Sequence, residues 1–122
     1  MTKPEITGLR DFKFSHWIRK NLPDSRTGFL VTDIDFVLFS SKTRSLMLLE
    51  VKTKNFEFSQ WQKNIFNLID ALLHRNAKHQ GVNYLGFHVV TFTGEQCDFI
   101  TAECYFDKEQ VSEDRLRELL SI

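Results

Sequence analysis

Two apolar runs dominate the middle of the chain. Phe36-Val37-Leu38-Phe39 follows Asp33-Ile34-Asp35, and Leu46-Met47-Leu48-Leu49 leads into Glu50-Val51-Lys52. A polar link of hairpin length, Ser40-Ser41-Lys42-Thr43-Arg44, separates them. The pattern predicts extended chain from Phe29 to about Phe39, as one bent strand or two short ones, then a strand from Ser45 to Thr53. The second run is apolar at consecutive positions, which is the pattern of a strand buried on both faces and interior to its sheet.

Helical spacing appears on either side. Leu9, Phe12, Trp17, Ile18 and Leu22 fit a short amphipathic helix that Pro23 ends, with a turn over Asp24–Gly28. Residues 1–8 form an irregular lead-in punctuated by Pro4 and Gly8. Asn55–Ser59 reads as a loop with Ser59 as N-cap. A strong helix follows to His74 or Arg75, with Trp61, Ile65, Phe66, Leu68, Ile69, Leu72 and Leu73 as its apolar set. Polar chain with Gly81 then leads to a strand over Tyr84–Phe92. After a turn at Thr93–Gln96, Cys97–Phe106 is expected as an edge strand and Ser112–Leu120 as a capped helix. This order predicts a mixed α/β (α+β) fold, a central mixed sheet with helices on its faces.

Composition narrows the picture. A chain of 122 residues is expected to be one domain, 1–122, with a core that needs no disulfide staples. The formal net charge of zero removes any bulk electrostatic argument for a nucleic-acid partner. Cys97 and Cys104 are too few for a disulfide framework and lack zinc spacing, so they read as buried, reduced cysteines on opposite faces of a strand. There is no apolar leader and no run of about 18–20 apolar residues to span a membrane. A cytoplasmic protein without membrane attachment is the expectation.

The charges on the central strands carry the chemistry. Side chains two apart in a strand share a face, so Glu50 and Lys52 point together, as do Asp33 and Asp35. If the strands pair, Asp35 and Glu50 converge at one end of the sheet. Two carboxylates, a backbone carbonyl and waters make a hard-oxygen site suited to Mg²⁺ or Mn²⁺. Lys52 beside them offsets their charge and lies in reach of a water or a phosphate. Glu-x-Lys by itself is common and is usually a solvated strand end. The acidic strand ahead of it and the helix after it are what single it out.

These residues, Asp33-Ile34-Asp35-Phe36-Val37-Leu38 and Leu48-Leu49-Glu50-Val51-Lys52-Thr53-Lys54, resemble the PD-(D/E)xK nuclease superfamily over about residues 9–92. The resemblance implies a restriction-endonuclease-like αβββαβ core. It implies Mg²⁺ (or Mn²⁺) held by Asp35, Glu50 and the Val51 carbonyl, with Lys52 assisting the attacking water. The Pro of the family name is absent, since Ile34 precedes Asp35. Asp35 is preferred because it heads the apolar run. Asp33 is a candidate further metal contact, and equally a solvated strand entry.

Relatives in the RecB-like branch carry a Gln in the first turn of the next helix. At ~100° per residue, Gln62 falls on the apolar stripe and Gln60 opposite it. Gln62 is therefore the candidate site glutamine, with backbone capping as the competing role. Lys42, Arg44, Lys54 and Lys63 form a weak candidate set of phosphate contacts. His74 and His79 are wrongly spaced for a zinc pair, and His88 reads as structural. The expected activity is metal-dependent hydrolysis of DNA by a structure-selective endonuclease, as a homodimer or a subunit of a larger complex. RNA as substrate differs only in the polymer. The rival is an inactive nuclease-fold protein that binds DNA or serves in assembly.

Overall fold

The computed structural model describes residues 9–23, 25–28, 30–53 and 57–122. The lead-in, Asp24, Phe29 and Lys54–Phe56 lie outside the described residues. The chain divides into two compact units, Met1–Val31 and Thr32–Ile122. The first holds helix α1, Leu9–Asn21, followed by a single 3₁₀ turn at Ser25–Thr27. Pro23 follows the helix, as its fixed φ and missing N–H require. Asn21 Nδ2 donates to the Trp17 carbonyl at 2.8 Å within the last turn.

The second unit is a mixed sheet. Strands β1 (Phe36–Ser40) and β2 (Ser45–Lys52) form the predicted hairpin. Helix α2 (Gln60–Asn76) crosses to β3 (Asn83–Phe92), and a second hairpin, β4 (Cys104–Phe106) and β5 (Glu109–Val111), leads to α3 (Glu113–Leu120). The spatial order is β1-β2-β3-β4-β5, with β2 and β3 parallel and the other neighbours antiparallel. The mixed α/β architecture expected from the pattern is present, and β2 is interior.

Two predicted strands are shorter than their sequence. The extended stretch contracts to Phe36–Ser40, because Asp35 spends its side chain on the backbone of Val51 and ends the ladder there. The stretch from Cys97 keeps only Cys104–Phe106 as strand. The Asp98 carboxylate accepts from Ile100 N (2.9 Å), Thr101 N (2.7 Å) and Thr101 Oγ (2.8 Å), which curls this segment out of extended form. Cys97 is consequently exposed and only Cys104 is buried. The two are not opposed across a strand as expected.

Strand alternation sorts the sheet's faces. Leu49, Val90, Phe92 and Cys104 pack with Leu116 of α3, and Leu38 and Val51 join them. The opposite face carries Phe87, which meets Phe66 of α2 at 4.7 Å between ring centroids. One extra residue in β3 shifts its register against Leu46 and Leu48, and Gly86 in that bulge takes φ +101°. A Cβ there would lie 3.0 Å from His88 Nε2, so only glycine fits. The His88 ring folds back over it, with Nε2 2.7 Å from the Leu85 carbonyl and Nδ1 2.6 Å from Asp107. This is the structural role predicted for His88.

Ser59 caps α2. Its hydroxyl accepts from Gln62 N at 3.2 Å, and the Gln62 side chain accepts from Ser59 N at 3.2 Å. This capping box satisfies two helix N–H groups that would otherwise lack partners. Replacing Ser59 with Ala should lower stability by about 1 kcal/mol. Urea denaturation of the two chains measures it, and an unchanged midpoint would show that the cap contributes nothing.

Candidate metal centre

Hairpin pairing sets Phe36 opposite Leu49, which brings Asp35 beside Glu50 at the open end of β1 and β2. There the ladder of backbone bonds gives way to an exchange between side chains and backbone. Asp35 N donates to Glu50 Oε1 at 2.7 Å. Val51 N donates to Asp35 Oδ2 at 2.9 Å. Each carboxylate thus holds the other's strand. Lys52 Nζ closes the set, 3.4 Å from Glu50 Oε2, and sits over the Phe58 ring at 5.4 Å from its centroid. Glu50 is 2% exposed and is among the most fully buried side chains described.

Burial pushes the Glu50 carboxyl above its ordinary range, and the negative charge of Asp35 pushes it further. The bond from Asp35 N and the charge of Lys52 pull the other way without cancelling the loss of water. A divalent cation between Asp35 and Glu50 would relieve both unfavourable effects, so the donor set fits Mg²⁺ or Mn²⁺. Among the described residues no group of three or more His, Cys, Asp or Glu comes together. Two carboxylates would therefore leave the other positions of an octahedral ion to a backbone carbonyl such as that of Val51, to water and to substrate oxygens.

The remaining predicted site residues lie in different places. Gln62 is half-buried on the sheet side of α2, as its helical phase predicts, but its carbonyl oxygen is committed to Ser59. It stands in the capping box, outside the Asp35–Glu50–Lys52 set. The same Ser-x-x-Gln spacing that signals a capping box was legible in the sequence. Asp33 is exposed two residues ahead of Asp35, outside that hydrogen-bonded set. Lys54 lies outside the described residues.

Lys63 lines a groove with Lys52, Glu57, Phe58, Val89, Thr91, Asp107 and Lys108. Lys42 and Arg44 do not flank the centre in their own chain. They lie in the turn at the other end of β2, with Arg44 about 20 Å from Glu50 at ~3.3 Å per residue. Arg44 is bound there, donating to the carbonyls of Gln80 (3.2 Å) and Gly81 (3.5 Å).

Phe58, Asp107 and Lys108 joined this region without being singled out from the sequence. Phe58 precedes the α2 cap and packs edge-on against Phe66, with ring centroids 5.5 Å apart. Asp107 and Lys108 form the β4–β5 turn with φ of 48° and 73°, a left-handed pair in non-glycine residues. Asp107 is fastened to β3 by bonds from Val89 N (2.9 Å) and to the Val89 carbonyl (2.9 Å). Adjacent Asp-Lys with no glycine gives little sequence signal for such a turn.

No family model and no solved structure matches the chain. A protein of Archaeoglobus fulgidus described as an uncharacterized protein is 38% identical over 61 residues, which are 49% of this chain and 42% of the relative. The chain thus matches less than half the length of that relative.

The raised proton affinity of Glu50 makes its ionisation cost stability. The folded chain keeps this proton to higher pH than the unfolded chain does. Stability from this group is therefore lost as pH rises from the ordinary value of 4.5 through the raised folded value. Thermal unfolding from about pH 4 to about pH 8 should show the Tm advantage of Glu50→Gln over the parent widening with pH. A difference that stays constant across this range would contradict the assigned burial cost.

Proposed function

We propose that this protein is a small divalent-metal-dependent nuclease of the PD-(D/E)xK type that hydrolyses phosphodiester bonds in DNA. The observation that carries the reading is the pair of bonds from Asp35 N to the Glu50 carboxylate and from Val51 N to the Asp35 carboxylate, with Lys52 against the outer oxygen of Glu50. A purely structural end to a hairpin has no need to bury a carboxylate beside a second one.

In this reading Asp35, Glu50 and the Val51 carbonyl hold Mg²⁺ or Mn²⁺. The ion supplies charge stabilisation at the phosphate and lowers the pKa of water. Asp35 and Glu50 are held in place by backbone N–H groups before any ion arrives, which limits reorganisation on binding. Lys52 orients the attacking water and sets a positive charge against the developing phosphate charge. The stack on Phe58 limits where its ammonium can go. Lys63, on the first turns of α2, is positioned on the groove to meet a flanking phosphate. The reading includes selection of DNA by shape, in a dimer or larger assembly. The reading includes a cytoplasmic setting. No helix among the described residues is long and apolar enough to cross a membrane.

Labelled linear, branched and single-stranded DNA, incubated with purified protein and Mg²⁺ or Mn²⁺, tests this. Cleavage should stop with chelator and fall about a hundredfold or more in Asp35→Asn, Glu50→Gln and Lys52→Ala. Calorimetry should show Mn²⁺ binding by the parent and its loss in Glu50→Gln. Metal-independent cleavage, or full activity in Glu50→Gln, would sink the reading. RNA run in the same assay decides the polymer.

A further inference from the structure

The β1 end of the sheet presents a surface that folded proteins normally protect. Among the described residues β1 is an edge strand, yet Phe36, Val37 and Phe39 are 51%, 61% and 48% exposed. Its pairing with β2 is regular from Phe36 to Ser40, and the strand contains no charge, proline or bulge to blunt its outer edge. Both faces of the strand are apolar. Leu38 turns toward the core beneath α3, whereas Val37 and Phe39, paired with Leu48 and Leu46, lie on the α2 side.

α2 extends that surface. Lys63, Asn67 and Asp70 line the groove over Phe87 and Val89, so this flank of the helix faces the β3–β5 side. Trp61, Ile65, Leu68 and Leu72, spaced i, i+4, i+7 and i+11, lie on the opposite flank, toward β1. Trp61, Leu68 and Leu72 are each about half exposed, at 48%, 53% and 48%. An exposed edge strand and an apolar helix stripe therefore adjoin on one side of the unit.

The charges at the ends of β1 decide what fits. Asp33 and Asp35 precede the strand, and Lys42 and Arg44 follow it. A second copy of the strand laid parallel would set like charges together. Laid antiparallel, it sets each acidic end against a basic one. Such pairing is self-complementary about a two-fold axis at Leu38, as a symmetric dimer requires.

We propose that two copies of this chain join through β1, antiparallel, into one continuous sheet, with the α2 stripes closing over the seam. Leu38 then lies opposite Leu38 of the partner subunit, and Asp35 opposite Ser41 of the partner subunit. The basic turn of each copy comes to the acidic end of the other. Lys42, remote from Asp35 and Glu50 in its own chain, supplies its charge to the partner's centre. That last step rests on the proposed chemistry, and the pairing itself does not.

Sedimentation equilibrium on the full chain tests the pairing without reference to activity. A dimer is expected, and a monomer throughout the micromolar range overturns the proposal. Val37→Lys should abolish the dimer while the circular dichroism of the folded chain persists. Should that variant fail to fold, Lys42→Glu serves, because it alters only an exposed turn. It should weaken association about tenfold, and adding Asp33→Lys should restore it. Dimers of unchanged affinity in Lys42→Glu, or no recovery in the double variant, overturn the antiparallel arrangement. A dimer without cleavage would leave this pairing standing and remove the nuclease reading. Cleavage by a monomer would do the reverse.

Discussion

Glu50 cannot be buried without partners, and the partners it takes decide how the central hairpin ends. A carboxylate removed from water loses several kcal/mol unless hydrogen bonds or charges replace the lost solvation. The Asp35 N–H and the Lys52 ammonium supply these. Asp35 in turn gives its own carboxylate to Val51 N, so the last rung of the β1–β2 ladder is made by side chains. The strand stops at Phe36 for this reason, and the two acids are fixed where a cation could lie between them.

The rest of the second unit supports that corner. β2 lies between β1 and β3, and its apolar run fills both faces of the sheet. Phe66 and Phe87 hold α2 against the sheet, and Phe58 leads from the loop to the helix cap beneath Lys52. The capping box sets where α2 begins and hence where Lys63 meets the groove. On the far side of that groove the Asp107–Lys108 turn is pinned to Val89 and His88. Three segments distant in sequence thus meet around one depression at the open end of the hairpin.

The unit is uneven in how it covers itself. The α3 face closes over Leu49, Val90, Phe92 and Cys104, whereas the β1 edge and one flank of α2 keep large apolar side chains in water. An isolated exposed leucine or phenylalanine is ordinary on a protein surface. A continuous apolar helix flank beside an edge strand that no described residue pairs with is not, because it offers backbone and hydrophobic area to an extended chain. Opposite charges at the two ends of the strand restrict which chain fits.

Much of this was legible in the sequence. Continuous apolar residues marked β2 as interior, helical spacing marked α2, and Ser59 and Ser112 marked the starts of α2 and α3. The convergence of Asp35, Glu50 and Lys52 followed from strand alternation and a hairpin-length link. These features are local, set by periods of two and 3.6 residues and by caps within one turn. What the tertiary structure alone decided depends on partners and distances that no periodicity encodes. Gln62 faces the sheet as predicted, yet its oxygen is taken by Ser59. Lys42 and Arg44 follow β1 closely in sequence, yet the length of β2 carries them to the far end from the acids. Cys97 stands in an apparent strand, yet a turn built by Asp98 brings it to the surface. In each case, competition for hydrogen bonds or the reach of an extended strand outweighed the local pattern.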